Sequence, residues 1–362
     1  MPIYHEMRLL RTPWVRCLTL CVLVTVVITC LLAFQPIKSQ RDCACPEKNV
    51  MDLKLEKMAI ASRVEDLPDN LSWGPHRLAV IVPFRDRFEQ LQKFVPYLHR
   101  FLNEQKVRHI IYIVNQVDNY RFNRASLINV GFLQSKQLCD YIAMHDVDLL
   151  PLNANLSYAY PERGPFHIAA PDLHPKYHYK TFVGGILLVA NKHFQKLNGM
   201  SNKFWGWGRE DDEFYRRIID AKMNVSRPVG ITTGTNGTFL HMHKKDVRSR
   251  DMIRTVEQRQ NEKRDRRTGL DTVQFNIESK MLLHIEEAPC LVINVQLHCD
   301  ISFTPWCDMP DRIKGLMSIR NLSPEKQRTW LQQQLDNLDS IIRMKEKMDD
   351  TLEIKAKKIM DT

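Results

Sequence analysis

Hydrophobic positions along the chain change period several times. Leu78–Phe84 (LAVIVPF) is a short continuous apolar run, the pattern of a strand buried on both faces. Phe88, Leu91, Phe94, Val95, Leu98, Phe101 and Leu102 then recur at helical spacing. His109–Val114 (HIIYIV) predicts a second buried strand, Asn123–Leu133 a second helix, and Tyr141–Met144 a third strand. Strand, helix, strand, helix, strand at this length is the signature of right-handed parallel crossovers. Phe182–Ala190 (FVGGILLVA) predicts a further strand with Gly184 and Gly185 inside it. Glycine in a strand interior marks a bulge or a close backbone approach.

The two ends read differently. Cys17–Phe34 is an uncharged, mostly apolar run of 18 residues preceded by Arg8, Arg11 and Arg16. At ~1.5 Å per residue it spans a bilayer core of ~30 Å, and the preceding positive charge places the N-terminus in the cytosol. The expected organisation is a cytoplasmic tail (1–16), a single-pass anchor (17–34), a charged stem (35–76) with helical spacing around Met51–Arg63, and a catalytic body (77–310). A helical extension follows (311–362), carrying Trp330, Leu331, Leu335, Leu338, Ile341 and Ile342.

The formal charge of +10 over 362 residues favours an anionic partner. Neither zinc-finger spacing nor an RNA-binding aromatic motif nor a basic zipper is present, so nucleic acid is not expected. Asn-x-Ser/Thr acceptors at Asn70, Asn155, Asn224, Asn236 and Asn321 suit a secretory protein. Of 9 cysteines, Cys139, Cys290, Cys299 and Cys307 lie in the body. In an oxidising lumen these four allow up to two disulfides, with three possible connectivities.

Candidate chemistry gathers at three places. Asp146-Val147-Asp148 follows the third strand, at the carboxyl edge where such sheets bind ligands. Alternation sends both aspartates to one side, where they suit a divalent cation and, through it, a diphosphate. His241-Met242-His243 places two imidazoles on one strand face. With Asp148 they make a mixed oxygen and nitrogen set that points to manganese, with iron, cobalt or zinc as alternatives. Between them Trp205-Gly206-Trp207-Gly208 runs into Arg209 and four consecutive carboxylates, Glu210 to Glu213, at a helix start. Indole faces suit the stacking of a sugar ring. Lys244 to Arg267 carries ten Lys or Arg residues and reads as a solvated segment or a lid over an anionic donor.

Assembled in that order, these motifs resemble the β-1,4-galactosyltransferases. Val82-Pro83-Phe84-Arg85-Asp86-Arg87, Arg121-Phe122-Asn123-Arg124-Ala125 and Gly184-Gly185 strengthen the resemblance, which covers roughly Leu78 to Leu270. Within the family, His241-Met242-His243 and Tyr177-His178-Tyr179 look like the xylosylprotein branch. The resemblance implies an α/β GT-A nucleotide-sugar transferase fold, a Rossmann-like mixed sheet flanked by helices, behind a single N-terminal transmembrane helix. It implies a type II Golgi enzyme using UDP-galactose and Mn²⁺ on xylosylated proteoglycan core proteins, the step that adds the second sugar of the glycosaminoglycan linker.

By that resemblance Asp148, His241 and His243 would bind manganese, and Asp146 would contact the ribose or support the metal site. Pro83, Phe84, Arg85, Arg87, Phe122, Arg124 and Val147 would line the nucleotide. Asp211 would be the catalytic base, with Glu210 and Asp212 holding sugar hydroxyls. Tyr177, Tyr179 and Trp207 would form the acceptor platform, with Gly184, Gly185, Gly208 and Arg209 beside the sugars. Alternative readings are transfer to N-acetylglucosamine, an N-acetylgalactosamine donor, or a metal-dependent hydrolase.

Overall fold

The computed structural model describes residues 69–243, 250–261 and 264–309, with Cys21, Val24, Thr25, Leu67 and Arg328 as isolated positions. The apolar run 17–34, the stem helix 51–63 and the helical extension 311–362 therefore lie almost wholly outside the described residues. Among those residues no helix is long and apolar enough to cross a membrane. The chain divides into two units, Met1–Glu56 and Lys57–Thr362. All that follows concerns the second.

Strand β1 (Arg77–Phe84) is buried along its whole length. Helix α1 (Phe88–Glu104) buries Leu91, Phe94, Val95, Leu98, Phe101 and Leu102, the stripe its spacing predicts. Strand β2 (Arg108–Gln116), helix α2 (Arg124–Ser135) and strand β3 (Tyr141–His145) complete the crossovers. β1 pairs in parallel with both β2 and β3, with Val80 opposite Ile111 and Ala143.

β4 (Leu149–Pro151) leaves this sheet and pairs with β7 (Phe239–His241) as a separate antiparallel ribbon, Leu149 opposite His241. β5 (Phe166–His167) and β6 (Ile186–Ala190) extend the main sheet antiparallel to β3. The strand expected from Phe182 begins only at Ile186. Gly184 and Gly185 form the turn that enters it, and Gly185 (φ +75°) accepts the Asp146 amide on its carbonyl. Helix α3 is Asn191–Lys196, α4 Glu210–Asp220, α5 the short turn Gly234–Gly237 and α6 Thr255–Asn261. A hairpin of β8 (Phe275–Ile285) and β9 (Ala288–Leu297) closes the other edge, with β9 parallel to β2. The seven-stranded order is β5-β6-β3-β1-β2-β9-β8.

Two cores flank the sheet. One gathers Ile81, Tyr112, Phe132, Phe194, Trp205 and Phe214, the other Val80, Val82, Phe94, Leu98, Ile113 and Tyr158. Helix α2 lies close on the first face because residue 131 is glycine. A Cβ there would stand 2.4 Å from Ile81 Cγ2. Cys299 and Cys307 form a disulfide, whereas Cys139 and Cys290 are buried free thiols, so the body holds one bridge among its described cysteines rather than two. Burial pushes the Cys139 thiol up to about 12 and the Cys290 thiol up to about 11.

Candidate active site

The carboxyl ends of β1, β2 and β3 open into a cleft of about 420 Å³, where such sheets hold their ligands. Helix α2 delivers Arg124 to its floor. Asn123 caps that helix, its side chain accepting the Ser126 amide, while its own amide donates to buried Gln116. Arg124 then donates to Asp146 Oδ1 and to Asp211 Oδ1, both at 2.8 Å.

The Asp146-Val147-Asp148 segment is a turn leaving β3, closed by the Leu149 amide on the Asp146 carbonyl, rather than a continuing strand. Both carboxylates still face the cleft and Val147 is buried. His241 ends β7, and the Met242 amide donates to the Asp148 carbonyl at 2.7 Å, which draws His243 beside Asp148. Arg87 Nη1 lies 3.2 Å from Asp148 Oδ2 and 3.3 Å from His243 Nδ1. Among the described residues no three His, Cys, Asp or Glu side chains are gathered tightly enough to hold a metal. The donor set nonetheless suits a divalent cation: His243 Nε2 is buried with no partner, and burial lowers the pKa of both imidazoles, leaving their nitrogens free to coordinate.

Helix α4 is aimed by the Trp-Gly-Trp-Gly loop. Gly206 and Gly208 take φ +79° and +99°, and Arg209, at φ +79°, is the left-handed N-cap. Beneath the helix, buried Arg217 donates to the carbonyls of Asn198, Gly199, Asp265 and Thr268 and pairs with Glu213. Asp211 faces Gly184, where a Cβ would come within 2.5 Å of its Oδ2; only glycine leaves the carboxylate its place.

Sequence alone left open whether the helix dipole or the acidic neighbours would govern Asp211. Burial, then Asp146 and Asp212, raise its pKa against the pull of Arg124. Burial and Asp211 push Glu210 up to about 8, and Glu210 Oε2 has no partner. Burial and the adjoining Asp211 thus bias Glu210 toward its protonated form.

The two tryptophans part company. Trp205 is 2% exposed and belongs to the core, while Trp207 lines the cleft beneath Arg250, whose guanidinium carbon is 4.3 Å from the indole centroid. Arg250 also donates to the Tyr177 hydroxyl, so the basic segment after His243 reaches the aromatic platform. Tyr177, Tyr179, Gly185, Gly208, Arg209 and Asp212 line the same cleft.

On the nucleotide side Pro83, Arg87, Phe122 and Val147 line it too, but Phe84 does not: it is 8% exposed and packs in the α1 core. Arg85 is at the cleft wall, yet its guanidinium donates to the carbonyls of Gln116, Asp118 and Tyr120 and so fixes the loop ahead of Phe122. His174 lines the cleft without having been singled out in the sequence. Its Nδ1 accepts the amides of Lys176 and Tyr177, which shapes the turn carrying the platform. A lone His-Pro pair offers no pattern by which to find it.

Comparisons with known proteins agree with this arrangement. Models described as "N-terminal region of glycosyl transferase group 7" and "N-terminal domain of galactosyltransferase" match residues 44–161 and 164–245. The chain is 60% identical to β-1,4-galactosyltransferase 7 of Mus musculus over 244 residues, 67% of this chain and 74% of that one. It is 47% identical to the xylosylprotein 4-β-galactosyltransferase of Caenorhabditis elegans over 264 residues, 71% and 90% of the two chains. A crystal structure of an aspartate-to-asparagine variant of Drosophila β-1,4-galactosyltransferase 7, in complex with manganese, UDP-Gal and xylobiose, is 55% identical. It superposes with a TM-score of 0.64 over 65% of this chain and all of that one. The chain belongs to the β-1,4-galactosyltransferase family, in its xylosylprotein branch.

Proposed function

We propose that this protein moves galactose from UDP-galactose to the 4-hydroxyl of xylose on proteoglycan core proteins, with inversion, by a single displacement that requires manganese. One observation carries the reading. A half-buried aspartate, Asp211, stands on a helix N-terminus between an aromatic platform and the Asp148–His241–His243 set, all in one cleft. The Drosophila relative, solved with manganese, UDP-Gal and xylobiose together, supports the metal and both substrate classes.

The linkage is α in the donor and β in the product, so a single displacement needs one base and one stabilised leaving group. Asp211 takes the proton of the acceptor hydroxyl. Glu210, which burial and Asp211 bias toward its protonated form, favours negative charge on Asp211 and can offer a donor to a sugar hydroxyl. Trp207, Tyr177 and Tyr179 hold the xylose ring against this base, and Asp212 accepts from its hydroxyls. Pro83, Phe122 and Val147 enclose the nucleotide, and Arg250 covers the platform edge. Asp148, His241 and His243 would hold manganese, which supplies charge neutralisation for the departing diphosphate.

The apolar run 17–34 and the sequons support a type II Golgi placement with a lumenal body. Asn70, Asn155, Asn224 and Asn236 are all exposed. Protease protection in sealed microsomes tests it: a cleavable body would reverse the orientation.

For the activity, the deciding experiment is transfer from UDP-galactose by the full chain to β-xyloside and to N-acetylglucosamine. Xylose preference is expected. Preference for N-acetylglucosamine would overturn the branch assignment, and donor hydrolysis without transfer would favour the hydrolase.

A further inference from the structure

His174 lies in the segment between β5 and β6, is 2% exposed, and reaches the cleft wall without belonging to the metal set or the acidic block. Its Nδ1 accepts two backbone amides at once, from Lys176 at 2.9 Å and from Tyr177 at 3.1 Å. With that lone pair engaged, the proton of the neutral ring stands on Nε2. An aspartate makes the same pattern elsewhere in the protein. Asp265 Oδ1 accepts the amides two and three residues on, Arg267 at 2.9 Å and Thr268 at 3.1 Å. A short polar side chain that captures the amides following it is a common way to fix a turn.

His174 adds what a short side chain cannot, a ring. It packs on Tyr177 with centroids 5.0 Å apart and meets Phe182 edge-on at 5.1 Å. Phe182 in turn touches Tyr177 at 5.0 Å and Tyr179 at 5.4 Å. One imidazole therefore fixes the backbone that delivers Tyr177 and supports the Tyr177 ring through an aromatic layer.

We propose that His174 is a positioning residue for the acceptor: it holds Tyr177 in the platform through Nδ1 and its ring, and does not act on substrate through Nε2. The proposal rests on the reading above of Tyr177 as part of the xylose platform, and adds to it the residue that sets where Tyr177 stands.

Two amide side chains separate the ring nitrogens. In asparagine the side-chain oxygen takes the place of Nδ1, whereas in glutamine the amide reaches the place of Nε2 and leaves nothing at Nδ1. The test uses the full chain with Mn²⁺, UDP-galactose and methyl β-xyloside. His174→Gln should raise KM for the xyloside about tenfold or more, because two hydrogen bonds are lost and the platform shifts. His174→Asn, which keeps the cap and loses only the ring, should raise it about threefold. His174→Ala, which gives up both nitrogens without adding bulk, should match the glutamine variant and keeps the comparison open if that variant does not fold. UDP affinity measured by calorimetry with Mn²⁺ should stay at the wild-type value in each. Rescue by glutamine but not asparagine would overturn the proposal in favour of a direct role for Nε2. Equal losses in the asparagine and alanine variants, or a loss that falls on UDP affinity instead, would overturn it as well. Failure of the wild type to transfer to the xyloside would appear before any variant is compared, and would remove the acceptor reading and this role together.

Discussion

A single guanidinium joins the carboxylate that follows β3 to the one that opens α4: Arg124 donates to Asp146 and to Asp211, each at 2.8 Å. Burial alone would keep Asp211 protonated well above the ordinary aspartate range, and Arg124 opposes this. Only the ionised carboxylate can accept a proton, so activity falls as pH drops through the Asp211 pKa. Removing the cation raises that pKa. Arg124→Gln should therefore move the acidic limb of kcat/KM toward higher pH. A lower rate with an unmoved limb would confine Arg124 to holding the nucleotide.

Asp211→Asn keeps the shape of the site and the ability to hold hydroxyls, but the amide cannot take a proton. Transfer should drop by roughly 10²- to 10⁴-fold while UDP binding, read by calorimetry in the presence of manganese, stays within error of wild type. Near-normal turnover would move the base elsewhere in the acidic block.

The metal set can be probed without relying on turnover. His243 has one ring nitrogen beside Asp148 and Arg87 and the other buried and unpartnered. Loss of that imidazole by His243→Ala should raise the manganese concentration that half-saturates the protein by about tenfold or more, measured by the paramagnetic signal of free Mn²⁺. An unchanged titration would take His243 out of the ligand set.

Local patterns carried much of this architecture. The continuous apolar runs at β1, β2 and β3 and the stripe on α1 were legible because each element must bury a face against its neighbours. The hairpin β8–β9 was not placed, although the run CLVIN in β9 gives the signal of a buried strand. β8 is half-exposed, its residues alternating between partly covered and exposed without any being buried, so it lacks the continuous apolar run that marks an inner strand. At the site, residue type told which groups could serve but not which way they point. Trp205 faces the core and Trp207, two positions on, the cleft, while Phe84 turns inward beside Arg85 at the cleft wall. Arg85 lines the cleft yet is held by three carbonyls of a loop about thirty residues away in sequence, a contact no short motif encodes.

The loop that aims α4 depends on a glycine pressed against a buried charge. Gly206 has φ +79°, and a Cβ built on it would stand 1.8 Å from Arg121 Nη2. Arg121 is wholly buried, pairs with Asp251 at 2.8 Å and donates to the Trp306 carbonyl beside the disulfide. Asp251 in turn accepts the Trp207 amide on its carbonyl at 3.0 Å. Gly206→Ala strains the backbone and displaces the guanidinium from its partner at once. The expected loss is about 3 kcal/mol or more of folding stability, since an uncompensated buried charge is left behind. Denaturant unfolding followed by circular dichroism measures it. Because the same displacement tilts Trp207, the acceptor KM should rise more than the UDP-galactose KM in whatever fraction folds. A variant with wild-type stability and acceptor KM would show that the loop accommodates the methyl group by moving Arg121 freely, and that the Arg121–Asp251 pair does not position the platform.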